Sequence, residues 1–391
     1  MRILYVAIDQ TVPGTLGGSV HVTAVAEGLA ALGHDVHVLV TPGPSPFPDG
    51  NGVSWQAVSP PLGARQLRWL TAGRVRRIAR ELSPDVIIER YYNFGGEGLR
   101  AAADVGALVV LEVNAPVIDY PGSAKAWLDR ALIVAPMRRW REWQCAAADL
   151  IVTPHAGILP NRVAPDRILE LEWGADTNRF RPDAHGTAPF TRCADELVVV
   201  FAGAFRAWHG AIHLVEAVRR LRSRGPSNVR AVLIGDGPEL GRVRAAARGL
   251  DGITFTGAVP NASMPAALAA ADIGVAPFDV GAHRPLALGF YWSPLKVFEY
   301  MASALPVVAP DIDRLRTIVR HGRDGVLYDA ANPNGLANAI DALRDSDTRM
   351  ALGTSARERA VERFGWDTHC QTLTAAMKRA LQQRPGRGYQ A

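Results

Sequence analysis

Three cysteines in 391 residues, Cys145, Cys193 and Cys370, are too few and too far apart for a disulfide framework, and their spacing matches no zinc site. No apolar run approaches the roughly 20 residues of a membrane-spanning helix. The start, "MRILYVAIDQ", passes directly into a strand-like pattern without the apolar block and small-residue cleavage site of a secretory leader. These absences lead to the expectation of a reduced, cytoplasmic protein. The net charge of +5 is mildly basic. That suits an anionic ligand, but without a binding motif or an aromatic stacking platform it does not suit nucleic acid. Nothing in the sequence speaks to oligomeric state.

What is present is a globular composition, 48% hydrophobic and 21% charged, at a length that suggests two domains. Short β-branched runs ("RILYVAI", "DVHVLV", "DVIIE", "ALVVLE") alternate with segments of helical period such as "GSVHVTAVAEGLAALGH", the rhythm of β-α-β units around a parallel sheet. After Phe180-Arg181-Pro182 and a Gly/Pro/Thr-containing stretch to about Arg192, the rhythm restarts with "ELVVVFAGAF". The chain therefore reads as two doubly wound α/β domains, 1–185 and 186–365, joined by a linker. A helical segment at 366–385 is expected to pack back on the first.

Four loops carry candidate chemistry. "DQTVPGTLGGSVHV" places Gly17 and Gly18 where a strand gives way to a helix, so that backbone N–H groups can approach a phosphate or another substrate anion. "VLIGDGPELG" resembles a dinucleotide fingerprint, but its third glycine comes one position late, which favours a structural turn over NAD. "FAGAFRAWHG" sets Arg206 and His209 beside Gly203 just before a helix, a cationic cradle for a diphosphate. In "SPLKVFEY", Ser293 and Pro294 read as a helix cap and first turn, with Lys296 and Glu299 three apart on one face. A lysine at a helix N-terminus opposes the dipole, a cost that makes sense if an anion sits between them. Glu299 could then accept hydrogen bonds from the two hydroxyls of a ribose. An ordinary i, i+3 ion pair is the plainer alternative.

Those loops, with "EWGADTNRFRPD", "ITFTGAV", "HGRDGVLY" and "RFGWD", resemble the family 4 retaining glycosyltransferases over nearly the whole chain. The resemblance implies a GT-B fold and sugar transfer from a nucleoside-diphosphate sugar, UDP- or GDP-linked, to a hydroxyl of a small-molecule, glycan or lipid-linked acceptor, with no further cofactor. Glu299 matches the later glutamate of the family's E-x(7)-E motif. The earlier one falls at Tyr291, a departure where the sugar ring is usually read. The family's phosphate-binding Arg and Lys fall at Ala204 and His209, so Arg206, His209 and Lys296 are the expected catalytic cations. Gly203, Gly257, Val259 and Leu295 complete the donor set. No Asp-x-Asp pair stands near these cations, so no metal is expected. Glu89, Arg90, Glu112 and Asn114, at strand ends of the first domain, are acceptor candidates, an internal Glu89–Arg90 salt bridge being the alternative for that pair. Two Arg- and Trp-bearing helices, "RQLRWLTAGRVRRIAR" and "MRRWREWQ", read either as packed helices with solvated arginines or as a weak membrane-surface contact. A nucleotide-sugar epimerase or hydrolase and a non-catalytic nucleotide-binding module are the alternatives on the same fold.

Overall fold

The computed structural model describes residues 1–312 and 314–384. It divides into two compact units. Unit one holds Met1–Trp173, Tyr291–Ser293 and the segment from Trp366; unit two holds Gly174–Phe290 and Pro294–Gly365. The division after Trp173 precedes the expected boundary at 185, because the segment beyond it is bonded into unit two. Arg179 donates to Asn261 Oδ1 at 2.9 Å, and the Phe180 carbonyl accepts from Arg357.

In unit one, β1 (Arg2–Val12), β2 (Asp35–Pro42), β3 (Val53–Ala57), β4 (Val86–Arg90), β5 (Leu108–Glu112), β6 (Leu150–Thr153) and β7 (Ile168–Glu170) form one parallel sheet in the order β3-β2-β1-β4-β5-β6-β7. Both faces are covered, which is why β4 and β5 are buried at every position. The helices are α1 (Gly17–Ala31), α2 (Ala72–Leu82), α3 (Glu97–Val105), α4 (Ala124–Ala131) and α5 (Pro136–Ala147). The chain steps away from the sheet centre in opposite directions through α1 and α3, so right-handed crossovers put these helices on opposite faces. The helix Trp366–Gln383 packs beside α1, with the Cys370 sulfur against Gly28. Residue 385 of the expected 366–385 segment lies outside the described residues.

Unit two repeats the design with β8 (Leu197–Ala202), β9 (Val229–Ile234), β10 (Ile253–Gly257), β11 (Ile273–Val275), β12 (Val307–Pro310) and β13 (Gly325–Tyr328), ordered β10-β9-β8-β11-β12-β13 and all parallel. Its helices include α6 (Ala211–Ser223), α7 (Leu240–Ala246), α8 (Met264–Ala269) and α9 (Leu295–Ala302). Val199, Phe201, Phe205, Leu214, Val218 and Leu233 are fully buried at its centre. Strand order reverses between β1 and β4 and between β8 and β11. Loops part there at the strand carboxyl ends and leave a crevice, the usual ligand position of an open α/β sheet. Among the described residues no helix is long and apolar enough to cross a membrane.

Candidate functional site

The β8/β11 switch gathers the candidate residues of unit two. Gly203 follows β8 at φ +142°, and a Cβ there would stand 2.9 Å from Lys296 Nζ. Only glycine lets the amine come that close. Gly235, after β9, packs so tightly on this loop that a Cβ would lie 2.0 Å from the Gly203 carbonyl oxygen. The glycines of "VLIGDGPELG" thus serve backbone-to-backbone contact. Gly257 closes β10 and accepts a hydrogen bond from Gly235 N–H at 2.8 Å, which places it on the same rim; Val259, two residues on, is half-buried.

Helix α9 begins at Leu295, with Pro294 at the cap position. Ser293 does not cap it. Its hydroxyl belongs to unit one, where it donates to Glu172 Oε2 and accepts from Trp173 N–H at 3.0 Å. Tyr300 fastens α9 to the strand ends, its hydroxyl accepting from Ala202 N–H at 2.8 Å. That anchor sets Lys296, one turn earlier, against the Gly203 loop. The Lys296 amine is buried without a hydrogen-bond partner, 4.2 Å from the centre of the Phe201 ring and 5.5 Å from that of Phe278. Burial holds it down to about 7, only partly offset by Glu299. Burial likewise raises Glu299 to about 7, against the pull of Lys296 and Arg179. The i, i+3 ion pair is not formed: among the described residues no ion pair or hydrogen bond links the two side chains.

His209 departs from expectation. Its Nδ1 contacts the Ala204 carbonyl, which can only accept, so this nitrogen carries the proton. Burial, then the charge of Lys296, drives the ring far below the ordinary histidine range. It is therefore neutral and presents an acceptor at Nε2, so it adds no positive charge to the site. Arg206 is exposed. An aromatic wall stands beside this loop. Trp208 stacks on Phe278 (6.2 Å, 17°), and Phe278 meets Phe290 at 5.0 Å. Tyr291, by contrast, is a buried residue of unit one.

At the β1/β4 switch the acceptor candidates separate. Adjacent strand residues point to opposite faces. Glu89, wholly buried on the α3 side, accepts from Gly96 and Leu99 N–H groups and pairs with Arg68 at 3.2 Å. Burial and Glu97 raise its pKa. Arg90 turns toward α1 and pairs with Glu112 at 2.8 Å and Asp9 at 3.4 Å. No Glu89–Arg90 salt bridge forms, and the Glu89 side chain has no exposed surface. Glu112 also meets Tyr5, Asn114 and His21. Asn114 accepts from Trp173 Nε1–H at 2.9 Å. His21 and His369, which the residue pattern did not single out, complete this cluster around a cavity of about 10 Å³, room for roughly one water. The first turn of α1 is crowded on its inner side, where a Cβ on Gly18 would meet Gln10 Oε1 and, at 3.3 Å, Arg90 Nη2, while Gly14, Thr15 and Leu16 ahead of the helix are exposed. Gly17 beside it is the first residue of α1.

Comparison with known proteins agrees with this architecture. Residues 16–159 match the family model described as Glycosyltransferase Family 4, and residues 196–346 the one described as Glycosyl transferases group 1. Sucrose-phosphate synthase from Thermosynechococcus elongatus superposes with a TM-score of 0.73 at 19% identity, covering 98% of this chain and 100% of that one. HepE from Anabaena, solved with UDP and glucose, gives 0.69 at 18%, covering 97% and 100%. The fold is GT-B, and the chain belongs to the family 4 glycosyltransferases. A GDP-mannose-dependent phosphatidylinositol monomannoside mannosyltransferase of Mycobacterium tuberculosis is 29% identical over 202 residues, 50% of this chain and 51% of its own length. The D-inositol 3-phosphate glycosyltransferase of Acidothermus cellulolyticus is 30% identical over 234 residues, 56% and 50%. The chain thus spans about half the length of these curated relatives.

Proposed function

We propose that this protein is a retaining glycosyltransferase that moves a sugar from a nucleoside-diphosphate donor to a hydroxyl acceptor. The observation that carries this is Lys296: a buried amine with no partner, set at the start of α9 against a glycine loop at a sheet switch point. A diphosphate there would satisfy the amine and meet the free N–H groups of the helix start. Glu299, with no bonded partner among the described residues, is free to accept from ribose hydroxyls. Gly257 and Val259 would frame the base with backbone groups, Leu295 beside them. Breaking the anomeric bond builds negative charge on the leaving diphosphate, and Arg206 together with Lys296, once its amine takes up a proton beside the phosphates, would stabilise it. With configuration retained, the departing phosphate oxygen takes the acceptor proton, so no side-chain base is assigned. Neutral His209 orients the loop through Ala204 and offers Nε2 as an acceptor. Arg90, Glu112 and Asn114 form the wall of the acceptor side.

One relative is GDP-mannose-dependent and one structural neighbour was solved with UDP, so GDP and UDP are the first nucleotides to test. A thermal-shift panel of UDP, GDP, TDP and ADP without metal, on wild type and Glu299→Ala, should show one nucleotide stabilising only the wild type. At a hundred times its dissociation constant that nucleotide adds about 2.7 kcal/mol. Equal shifts in both proteins, or none, would refute the donor site. Donor consumed with no acceptor present would point to a hydrolase or epimerase instead, and a chelator that abolishes turnover would refute metal independence.

A further inference from the structure

Exposed apolar side chains concentrate at one edge of the sheet in unit one. Of the eleven large apolar side chains that are exposed among the described residues, eight lie in three segments at the carboxyl ends of its strands. Leu16 stands between β1 and α1. Leu62, Trp69 and Leu70 stand between β3 and α2. Trp127 and Leu132–Val134 precede α5, which runs antiparallel to the strands and so begins at this edge.

Two of these are held where such side chains rarely go. Leu62 and Ile133 have φ of +55° and +57°, a left-handed conformation that strains branched side chains and suits Asn or Gly. They are also 96% and 89% exposed, so packing in the fold does not offset the strain. Apolar residues both strained and exposed point to something outside the chain. The surrounding charge indicates what. Segments 58–71 and 120–140 contain a single carboxylate, Asp129. It is buried, accepting from Met137 and Arg138 N–H groups and so fixing the first turn of α5 beneath the tip. Arg65, Arg130 and Arg139 are exposed on the same segments and pair with no carboxylate among the described residues. The tryptophans of α5 are not the contact: Trp140 and Trp143 are half-buried, with Arg100 5.1 and 5.2 Å from their ring centres.

We propose that this edge of unit one docks on an anionic lipid bilayer, Leu62 and the Leu132–Val134 tip entering the headgroup boundary while the arginines meet lipid phosphates. This docking does not depend on sugar transfer. It is tested by flotation of the full chain with vesicles of mixed phosphatidylglycerol and phosphatidylcholine, and of phosphatidylcholine alone. Wild type should float with the anionic vesicles, less so as salt rises. The double variant Leu62→Asn/Ile133→Asn should partition at least about tenfold more weakly. Its Tm should be unchanged or raised, since asparagine suits the left-handed backbone. Met350→Gln, which removes an exposed apolar side chain from unit two, should bind like wild type. Absence of flotation, or flotation untouched by the double substitution, overturns the proposal. So does wild-type self-association that the double variant abolishes without any vesicle binding, because the occupant would then be a second copy of the chain.

Discussion

Replacing Lys296 by methionine should make the ligand-free protein more stable and the donor site useless. Methionine keeps the unbranched body beside Phe201 and Phe278 and removes a buried amine that bonds to nothing. Relief of one unsatisfied buried polar group is worth about 1–3 kcal/mol. A pH-dependent part adds to it. The amine is charged in the unfolded chain below about 10.5 but neutral in the folded one down to about 7. Each pH unit descended across that window therefore adds about 1.4 kcal/mol to the wild-type penalty, which levels off below pH 7 at roughly 3–5 kcal/mol. The advantage of Lys296→Met should thus widen from pH 10 to pH 7. In a unit of this size it should appear as a Tm rise of about 2–4 °C per kcal/mol. Adding the nucleotide should reverse the ranking, because only wild type gains the binding term. Calorimetry at several pH values, with and without UDP or GDP, reads all of this. A variant that melts below wild type at pH 7.5, a gap that does not change with pH, or an undiminished nucleotide shift would each refute the assignment of Lys296.

Nucleotide affinity should peak near neutral pH. Glu299 gains a proton below about 7 and loses its capacity to receive two hydroxyls, while above that range Lys296 must take up a proton to meet the phosphates. Titration calorimetry in buffers of different ionisation enthalpy should register proton uptake at pH 8, and no net uptake would contradict the linkage. Gly203→Ala forces a side chain into a positive-φ position and toward the Lys296 amine. It should cost about 1–3 kcal/mol in denaturant melts and weaken nucleotide binding; a neutral result would mean the loop is slack. Arg68→Met leaves Asp9, Glu89 and Glu97 buried without their shared cation. It should destabilise unit one by about 3–5 kcal/mol, measured by urea unfolding, and a loss below about 1 kcal/mol would show that the network is not held by that charge.

The alternation of β-branched runs with helical segments was enough to establish two parallel α/β units, because a strand covered on both faces must be apolar along its whole length and a crossover helix must present an apolar stripe. It also located the glycine loops and the Lys296/Glu299 pair, since both follow from local spacing. Local spacing could not say which groups are charged. His209 reads as a cation beside Arg206, yet it lies buried with its proton committed to Ala204 and the Lys296 charge nearby, and it is neutral. Glu89 and Arg90 read as a pair, but strand alternation turns them to opposite faces, where Arg68, 21 residues away in sequence, claims the first and Glu112, 22 residues away, the second. Ser293 reads as a helix cap and is spent on Glu172, 121 residues earlier. Identity and period are properties of neighbours along the chain, so the sequence by itself determined the elements and their class. Burial and long-range pairing depend on what else occupies the same volume, so only the tertiary structure decided which side chains keep a proton, a partner or a free electron pair.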